Sequence, residues 1–225
     1  MKRILTIFIT LLSILIISCG EKNTSNVDGA NTNANNMDHS AHSGHTAHQT
    51  GSGIIDLMHQ PMMGKPFEKT ANIDVDFLVN MIPHHQGAIL SSKKLLETTT
   101  NQALIDLANN IISAQEKEVE EFSLLIDELK AKNTSYADIN TEAFGNEMQI
   151  LMNKMMDEMA SIKVTENDDI NFLKGMIPHH QGAIDVSRKI LEATKYEKIK
   201  EIAYRIITAQ EKEINDMNNM LNTIK

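Results

Sequence analysis

The sequence predicts an all-α protein in which two similar helix pairs form a four-helix bundle. The nine residues MIPHHQGAI occur at Met81–Ile89 and again at Met176–Ile184, and AQEKE occurs at Ala114–Glu118 and Ala209–Glu213. Both motifs recur 95 positions later, so the segment between them has the same length in each copy. Apolar residues follow helical spacing around the motifs, and no segment alternates like a strand. Duplicated amphipathic helices of this kind bury their apolar stripes against each other.

The elements follow one another in the same order in both copies. Periodicity predicts helices at 74–97, 102–130, 143–162, 169–191 and 196–224. Asp74 is expected to cap the first of them, and a short methionine-rich segment around Met58 precedes it. The bundle would occupy 54–225, with repeat one at about 58–130 and repeat two at about 143–225.

Methionines line one side of the predicted helix at 143–162. They lie at helical spacing and are Met148, Met152, Met155, Met156 and Met159. Methionine at such spacing commonly fills a hydrophobic core, and its thioether is also a soft metal ligand. The sequence leaves both roles open for this stripe.

The N-terminal segment is typical of an export signal. A short basic start precedes an apolar run at 4–17, which is short for a membrane span of about 20 residues. The residues before Cys19 resemble a bacterial lipobox, so we expect 1–18 to be a lipoprotein signal peptide and Cys19 to carry lipid. An ordinary secretory signal is the alternative. As the only cysteine, Cys19 excludes an intrachain disulfide. We therefore expect a lipid-anchored cell-envelope protein, at the outer membrane or the periplasmic face.

Residues 19–53 are predicted to be a disordered tether, because small polar residues dominate them and cannot bury a core. Histidines recur at every third position within this tether, at His39, His42, His45 and His48. Such a tract indicates auxiliary, weak metal binding, since ordering a flexible chain costs conformational entropy. A low-complexity linker without a metal role is the alternative.

The charge balance limits the kinds of partner that the protein is expected to bind. The chain has a formal net charge of −9 at pH 7, which argues against nucleic acid and favours cations. Tryptophan is absent and aromatic residues make up 4%, so the core must be aliphatic and methionine-rich.

Each repeated motif carries side chains that bind metals. In the first copy Met81, His84 and His85 lie at i, i+3 and i+4, so the methionine is next to both histidines on the helix surface. The two histidines point about 100° apart and need not bind the same ion. Pro83 lacks an N–H, and we expect the helix to kink or restart there, which would place the histidines in a first turn.

The partner helix contributes Gln115 and Glu118, three residues apart. Glu118 is expected to be either a metal ligand or the acceptor that fixes a histidine tautomer. The second copy offers the equivalent set, which is Met176, His179, His180, Gln210 and Glu213.

Thioether and imidazole ligands together favour copper, and Cu(I) especially. Zinc would accept the histidines but has little use for methionine. Neither copy contains the Glu-x-x-His motif of a di-iron centre, so an oxidase is disfavoured and the chain is not expected to be an enzyme. Two alternatives stay open. One is a metal-dependent enzyme with Glu118 or Glu213 as its base, and the other is a structural or interaction module of the envelope without metal.

The run D-x-x-F-x-x-x-M-I-P-H-H-Q-G-A-I, followed by A-x-x-I-I-x-A-Q-x-x-E, resembles the bacterial family catalogued as domain of unknown function 305. The resemblance implies a ferritin-like helical bundle exported to the cell envelope, with copper binding and resistance in some members. Separately from the resemblance, a metal-transport protein of the envelope is an expected partner. The implied metal residues are Met81, His84, His85, Met176, His179 and His180.

This chain departs from the family where methionines are frequent. Ser91 and Val186 stand where the family often has methionine after the motif. Phe122 stands at a second such position in the first copy, whereas Met217 keeps it in the second. If thioethers make the site, we expect the first copy to be the weaker one.

Overall fold

The computed structural model describes residues 53–132 and 134–224, which form six α-helices. These are α1 (Ile54–His59), α2 (Ile73–Leu95), α3 (Gln102–Lys132), α4 (Thr141–Ala160), α5 (Asp168–Leu191) and α6 (Glu197–Thr223). Within these two ranges there is no β-strand, so the all-α prediction is confirmed. No helix in the same ranges is long and apolar enough to span a membrane. The predicted signal peptide, Cys19 and the histidines of the tether lie outside the described residues.

The two motif helices, α2 and α5, contact each other at the centre of the bundle. α3 packs along α2, and α6 packs along α5, which gives the two predicted helix pairs. α1 lies against both motif helices, while α4 packs on α5 and also contacts α2. Of the two methionine-rich helices, α1 is short with six residues, whereas α4 has 20 residues and matches the helix predicted at 143–162.

The caps of the motif helices are asparagines. Asn72 accepts hydrogen bonds from two backbone N–H groups in the first turn of α2, and Asn167 accepts one at the start of α5. Asp74 was therefore the wrong residue for the cap, because the amide of Asn72 already satisfies those donors. Asp74 is instead fully buried and accepts hydrogen bonds from the hydroxyls of Tyr136 and Thr194.

The proline of each motif lies inside an uninterrupted helix. α2 continues through Pro83 and α5 through Pro178, so the expected restart is wrong and the histidines lie in mid-helix. An interior proline costs about 3 kcal/mol because one hydrogen bond is lost. A fully buried leucine, phenylalanine or methionine side chain contributes about 1.5–3 kcal/mol, and Leu78 and Met81 near Pro83 are completely buried. Tertiary packing therefore outweighs the local penalty.

Glycines of the motifs let other helices approach closely. A Cβ atom at Gly87 would lie 1.6 Å from the carbonyl oxygen of Met58, so the backbone of α1 rests directly on α2. A Cβ atom at Gly182 would lie 2.7 Å from the sulfur of Met155 in α4. α1 thus packs on the glycine of the first motif, and α4 packs on the equivalent glycine of the second motif.

Candidate metal centre

All four motif histidines are buried, with no exposed surface. His84 and His179, called the inner histidines below, meet where α2 contacts α5. Their ring centroids are 3.8 Å apart and their planes are inclined by 31°. The Nε2–H of His84 donates to the carbonyl oxygen of His179 at 3.0 Å. This bond leaves the buried Nδ1 of a neutral His84 with a lone pair and no hydrogen-bond partner.

The inner histidines are held in the neutral form. Burial lowers the pKa of both rings well below 6.5, and the neighbouring histidines lower it further. The Met58 carbonyl opposes this pKa shift at His179, but neither ring nitrogen of His179 makes a hydrogen bond of ordinary geometry. Since imidazole must be unprotonated to bind a metal, the pKa shifts leave both rings ready to bind at neutral pH.

His85 and His180, the outer histidines, point towards the partner helices. The Nε2–H of His85 donates to Oε2 of Glu118 at 2.8 Å, and that of His180 donates to Oε2 of Glu213 at 2.7 Å. Each glutamate therefore takes the position of a tautomer-fixing acceptor, one of the two roles considered for it. The Nδ1 atoms of both outer histidines are left buried without a hydrogen-bond partner.

A contact of Arg205 with Glu118 is present in the first copy alone and was not predicted from the sequence. Arg205 of α6 donates from Nε to Oε1 of Glu118 at 3.1 Å and also pairs with Glu121. Burial would raise the pKa of Glu118, but His85 and Arg205 together lower it. The position equivalent to Arg205 in the first copy is Asn110, so Glu213 lacks the corresponding arginine. An arginine in one copy against an asparagine in the other was the available signal.

The remaining residues of the candidate set are also in the interior. Met81 and Met176 are fully buried, one helical turn before the inner histidines. Gln115 and Gln210 are 3% and 2% exposed, and the side-chain oxygen of each is buried without a hydrogen-bond partner. The structure thus brings the histidines of one copy against those of the other and each outer histidine against its glutamate.

The donor atoms fit a soft ion that accepts few ligands. In the part of the chain that the structure describes, no three histidine, cysteine, aspartate or glutamate side chains come together in a metal-binding group. What the site offers instead is unpaired imidazole nitrogens on helices that also carry buried thioethers. Imidazole and thioether favour copper over hard ions such as magnesium or calcium.

A helical bundle with consecutive histidines buried in two repeated motifs defines the class of protein, and comparison with known families gives the same assignment. The chain belongs to the DUF305 family, a domain of unknown function, whose model matches residues 20–126 and 74–221. Two overlapping matches agree with two copies. The uncharacterized protein L153 of Acanthamoeba polyphaga mimivirus is 48% identical over 58 residues, which are 26% of this chain and 38% of that protein. The match therefore spans well under half of that relative.

Solved structures of CopM share the fold. The Cu(II)-bound form is 25% identical with a TM-score of 0.52, covering 67% of this chain and 96% of CopM. The Cu(I)-bound form is also 25% identical, with a TM-score of 0.50 and the same coverage. The Ag-bound form is 26% identical with a TM-score of 0.50, covering 67% of this chain and 95% of CopM. These similarities, together with the six helices, confirm the predicted helical bundle.

Proposed function

We propose that this protein binds copper, Cu(I) in preference, at the buried histidines, and that it buffers, stores or delivers the ion in metal homeostasis or resistance. The observation that carries the proposal is the contact between His84 and His179. Two neutral rings lie 3.8 Å apart in the interior with unpaired nitrogens. A buried polar atom without a partner costs about 1–3 kcal/mol, and coordination of an ion would remove that cost. CopM structures with Cu(I), Cu(II) and Ag support copper as the ion.

The side chains would share the work of holding the ion. The histidines would bind through their unpaired ring nitrogens, which are Nδ1 in His84, His85 and His180. Glu118 and Glu213 would support the outer histidines, because a carboxylate that accepts from one ring nitrogen makes the other a better donor. Met81 and Met176 would favour Cu(I) over zinc. Binding and release, without turnover, complete this role.

We further propose that the protein acts at the cell envelope, anchored by lipid on Cys19. The basic start, the apolar run and the lipobox-like residues before Cys19 support this location. The tether histidines His39, His42, His45 and His48 would collect ions that the bundle then holds. An envelope metal-transport protein would be the recipient.

The test is a Cu(I) titration of the lipid-free chain against a competing chelator in the absence of oxygen. One variant changes the four motif histidines to asparagine, and a control variant changes the four tether histidines to alanine. We expect the affinity of the motif variant to fall by more than ~100-fold, because ligands themselves are lost, while the tether variant keeps tight binding. Equal, weak binding in wild type and motif variant would refute the bundle site and favour a structural module.

A further inference from the structure

A methionine-lined groove lies beside the motif of the first copy. Its volume is about 380 Å³, and four of its lining residues are methionines. Met62 and Met63 come from the turn after α1, and Met152 and Met156 come from α4. The motif histidines are not among the described residues that line it, although Pro83 and Gln86 of the motif are. The groove is therefore a separate place next to the helical turn that carries His84 and His85.

Four thioethers line the same groove, and flexible methionine side chains would allow several of them to reach one ion. Met152 and Met156 are one helical turn apart, so their side chains share a face of α4. Three rotatable bonds let a methionine side chain move its sulfur without a backbone shift. Apolar residues such as Phe67, Val79 and Ile82 make up half of the remaining wall. The other half is polar and consists of Lys65, Glu68, Asn80, Gln86 and Asn153, so one positive and one negative charge balance each other. The four thioethers favour a soft monovalent ion, whereas a hard divalent ion would find one carboxylate and amide oxygens in this wall.

Core filling accounts for Met152, which is buried in the core, and only in part for Met62 and Met156, which pack against the core. Met63 is 61% exposed, and Met62 and Met156 are only partly buried. On the same α4, Met148 and Met159 are buried in the core and do fill it. The sequence Leu-Met followed after a short gap by Met-Met occurs both before α2, at 57–63, and within α4, at 151–156. The groove thus collects methionines from two segments of similar sequence, each of which precedes a motif helix.

We propose that this groove is a second metal site, which binds a soft monovalent ion, Cu(I) or Ag(I), through thioethers alone. The site goes beyond the proposed function because it shares no side chain with the histidine site. Its place on the surface suits an ion that must be taken up or given away, whereas the histidines are completely buried.

The test uses the lipid-free chain labelled with methyl-13C methionine and titrated with Ag(I). Methyl signals are assigned with single methionine-to-leucine variants, and bound ions are counted by native mass spectrometry. The groove variant carries Met62→Leu, Met63→Leu, Met152→Leu and Met156→Leu. Leucine keeps the apolar volume and removes the sulfur, at a usual cost below about 1.5 kcal/mol. The control carries Met148→Leu, Met159→Leu and Met220→Leu, which lie outside the groove.

We expect the methyl signals of the four groove methionines to shift together, and the groove variant to lose one bound ion while the control loses none. The exposed single variant Met63→Leu should weaken this ion's binding by about tenfold or more even if the quadruple variant folds poorly. Unshifted groove signals, or a groove variant that binds as many ions as wild type, would overturn the proposal. Imidazole signals report the histidine site in the same samples, so failure of either site is seen independently.

Discussion

Asp76 and Asn171 occupy equivalent positions in the two copies. Their hydrogen bonds show how a single buried charge lowers the stability of the folded protein. Oδ1 of Asp76 accepts from the N–H and the hydroxyl of Thr70, and Oδ1 of Asn171 accepts from the same groups of Thr165. The amide of Asn171 also donates to the Thr165 carbonyl at 2.7 Å, whereas Oδ2 of Asp76 is buried without a partner. Asparagine therefore satisfies this turn completely and aspartate does not.

We predict that Asp76→Asn stabilises the protein at pH 7 by about 1–3 kcal/mol, the cost of an unsatisfied buried group. Burial raises the pKa of Asp76 in the folded protein. Its protonated form thus favours folding, and that contribution is lost as pH rises through the folded-state pKa. The gain should shrink towards pH 4, near the unfolded pKa of about 3.9. Urea unfolding of wild type and variant at pH 7 and pH 4 measures this gain in stability. The reverse change, Asn171→Asp, should destabilise more at pH 7 than at pH 4; equal effects would contradict the argument.

Residue types and spacing predicted the motif histidines as candidate metal ligands, but not their division into inner and outer pairs. The 100° between His84 and His85 was evident from helical geometry. Which ring meets the other copy and which meets Glu118 depends on how α2 packs between α3 and α5. Arg205 was missed for a similar reason, because its contact with Glu118 joins helices of different copies.

Among the helices, the packing of α1 depends on Gly87 of the neighbouring helix α2. We predict that Gly87→Ala destabilises the protein by about 1–3 kcal/mol, because the new methyl group would overlap the Met58 carbonyl and force the α1 backbone away. The gain of about 1 kcal/mol in helix propensity is too small to compensate. Thermal unfolding and amide hydrogen exchange of α1 measure the effect.

Gly145→Ala is the matched control, since that glycine also lies inside a helix. Its new methyl group would meet only the flexible side chain of Lys69, which is exposed and can move aside. We expect neutral or slightly increased stability there. A Gly87 variant as stable as the Gly145 variant, with α1 still protected, would show that α1 does not need this close contact.

Helix periodicity predicted the bounds of the long helices within a few residues. The cap at Asp74 and the restart at Pro83 were predicted wrongly because tertiary contacts override the local preferences of these residues. Asp74 has the right chemistry for a cap, yet it is drawn into the interior by Tyr136 and Thr194. Pro83 predicts a break by local rules, yet packing on both sides keeps α2 continuous. The local sequence correctly indicates the capping tendency of Asp74 and the helix-breaking tendency of Pro83. It contains no information about the tertiary contacts that outweigh these tendencies.

On the scale of the whole molecule, one buried hydrogen-bond cluster joins the two copies. Asp74 at the start of α2 accepts from Tyr136 in the α3–α4 connection and from Thr194 in the α5–α6 connection. The Tyr136 hydroxyl in turn accepts from the backbone N–H of Lys195. Burial and the bond to Asp74 raise the pKa of Tyr136 to about 12, so its hydroxyl remains a donor at neutral pH.

We predict that Tyr136→Phe lowers the free energy of unfolding by about 1–3 kcal/mol, because Asp74 and the Lys195 N–H each lose a partner in the interior. Urea unfolding measures the loss. Tyr204→Phe is the control, since Tyr204 is 60% exposed and its change should be within about 0.5 kcal/mol of wild type. Equal stability of the two variants would show that the cluster does not hold the copies together.

The contact between His84 and His179 has a consequence for half-length chains. Each inner histidine comes from a different copy, so a chain with a single copy would lack the pair and would need a second molecule to supply it. Fusion of the copies removes the concentration dependence of such a dimer, because the second histidine is always tethered nearby. Fusion also frees each half to change alone, which a symmetric dimer of identical chains cannot do. Arg205 in one copy and Asn110 in the other are an instance of that freedom.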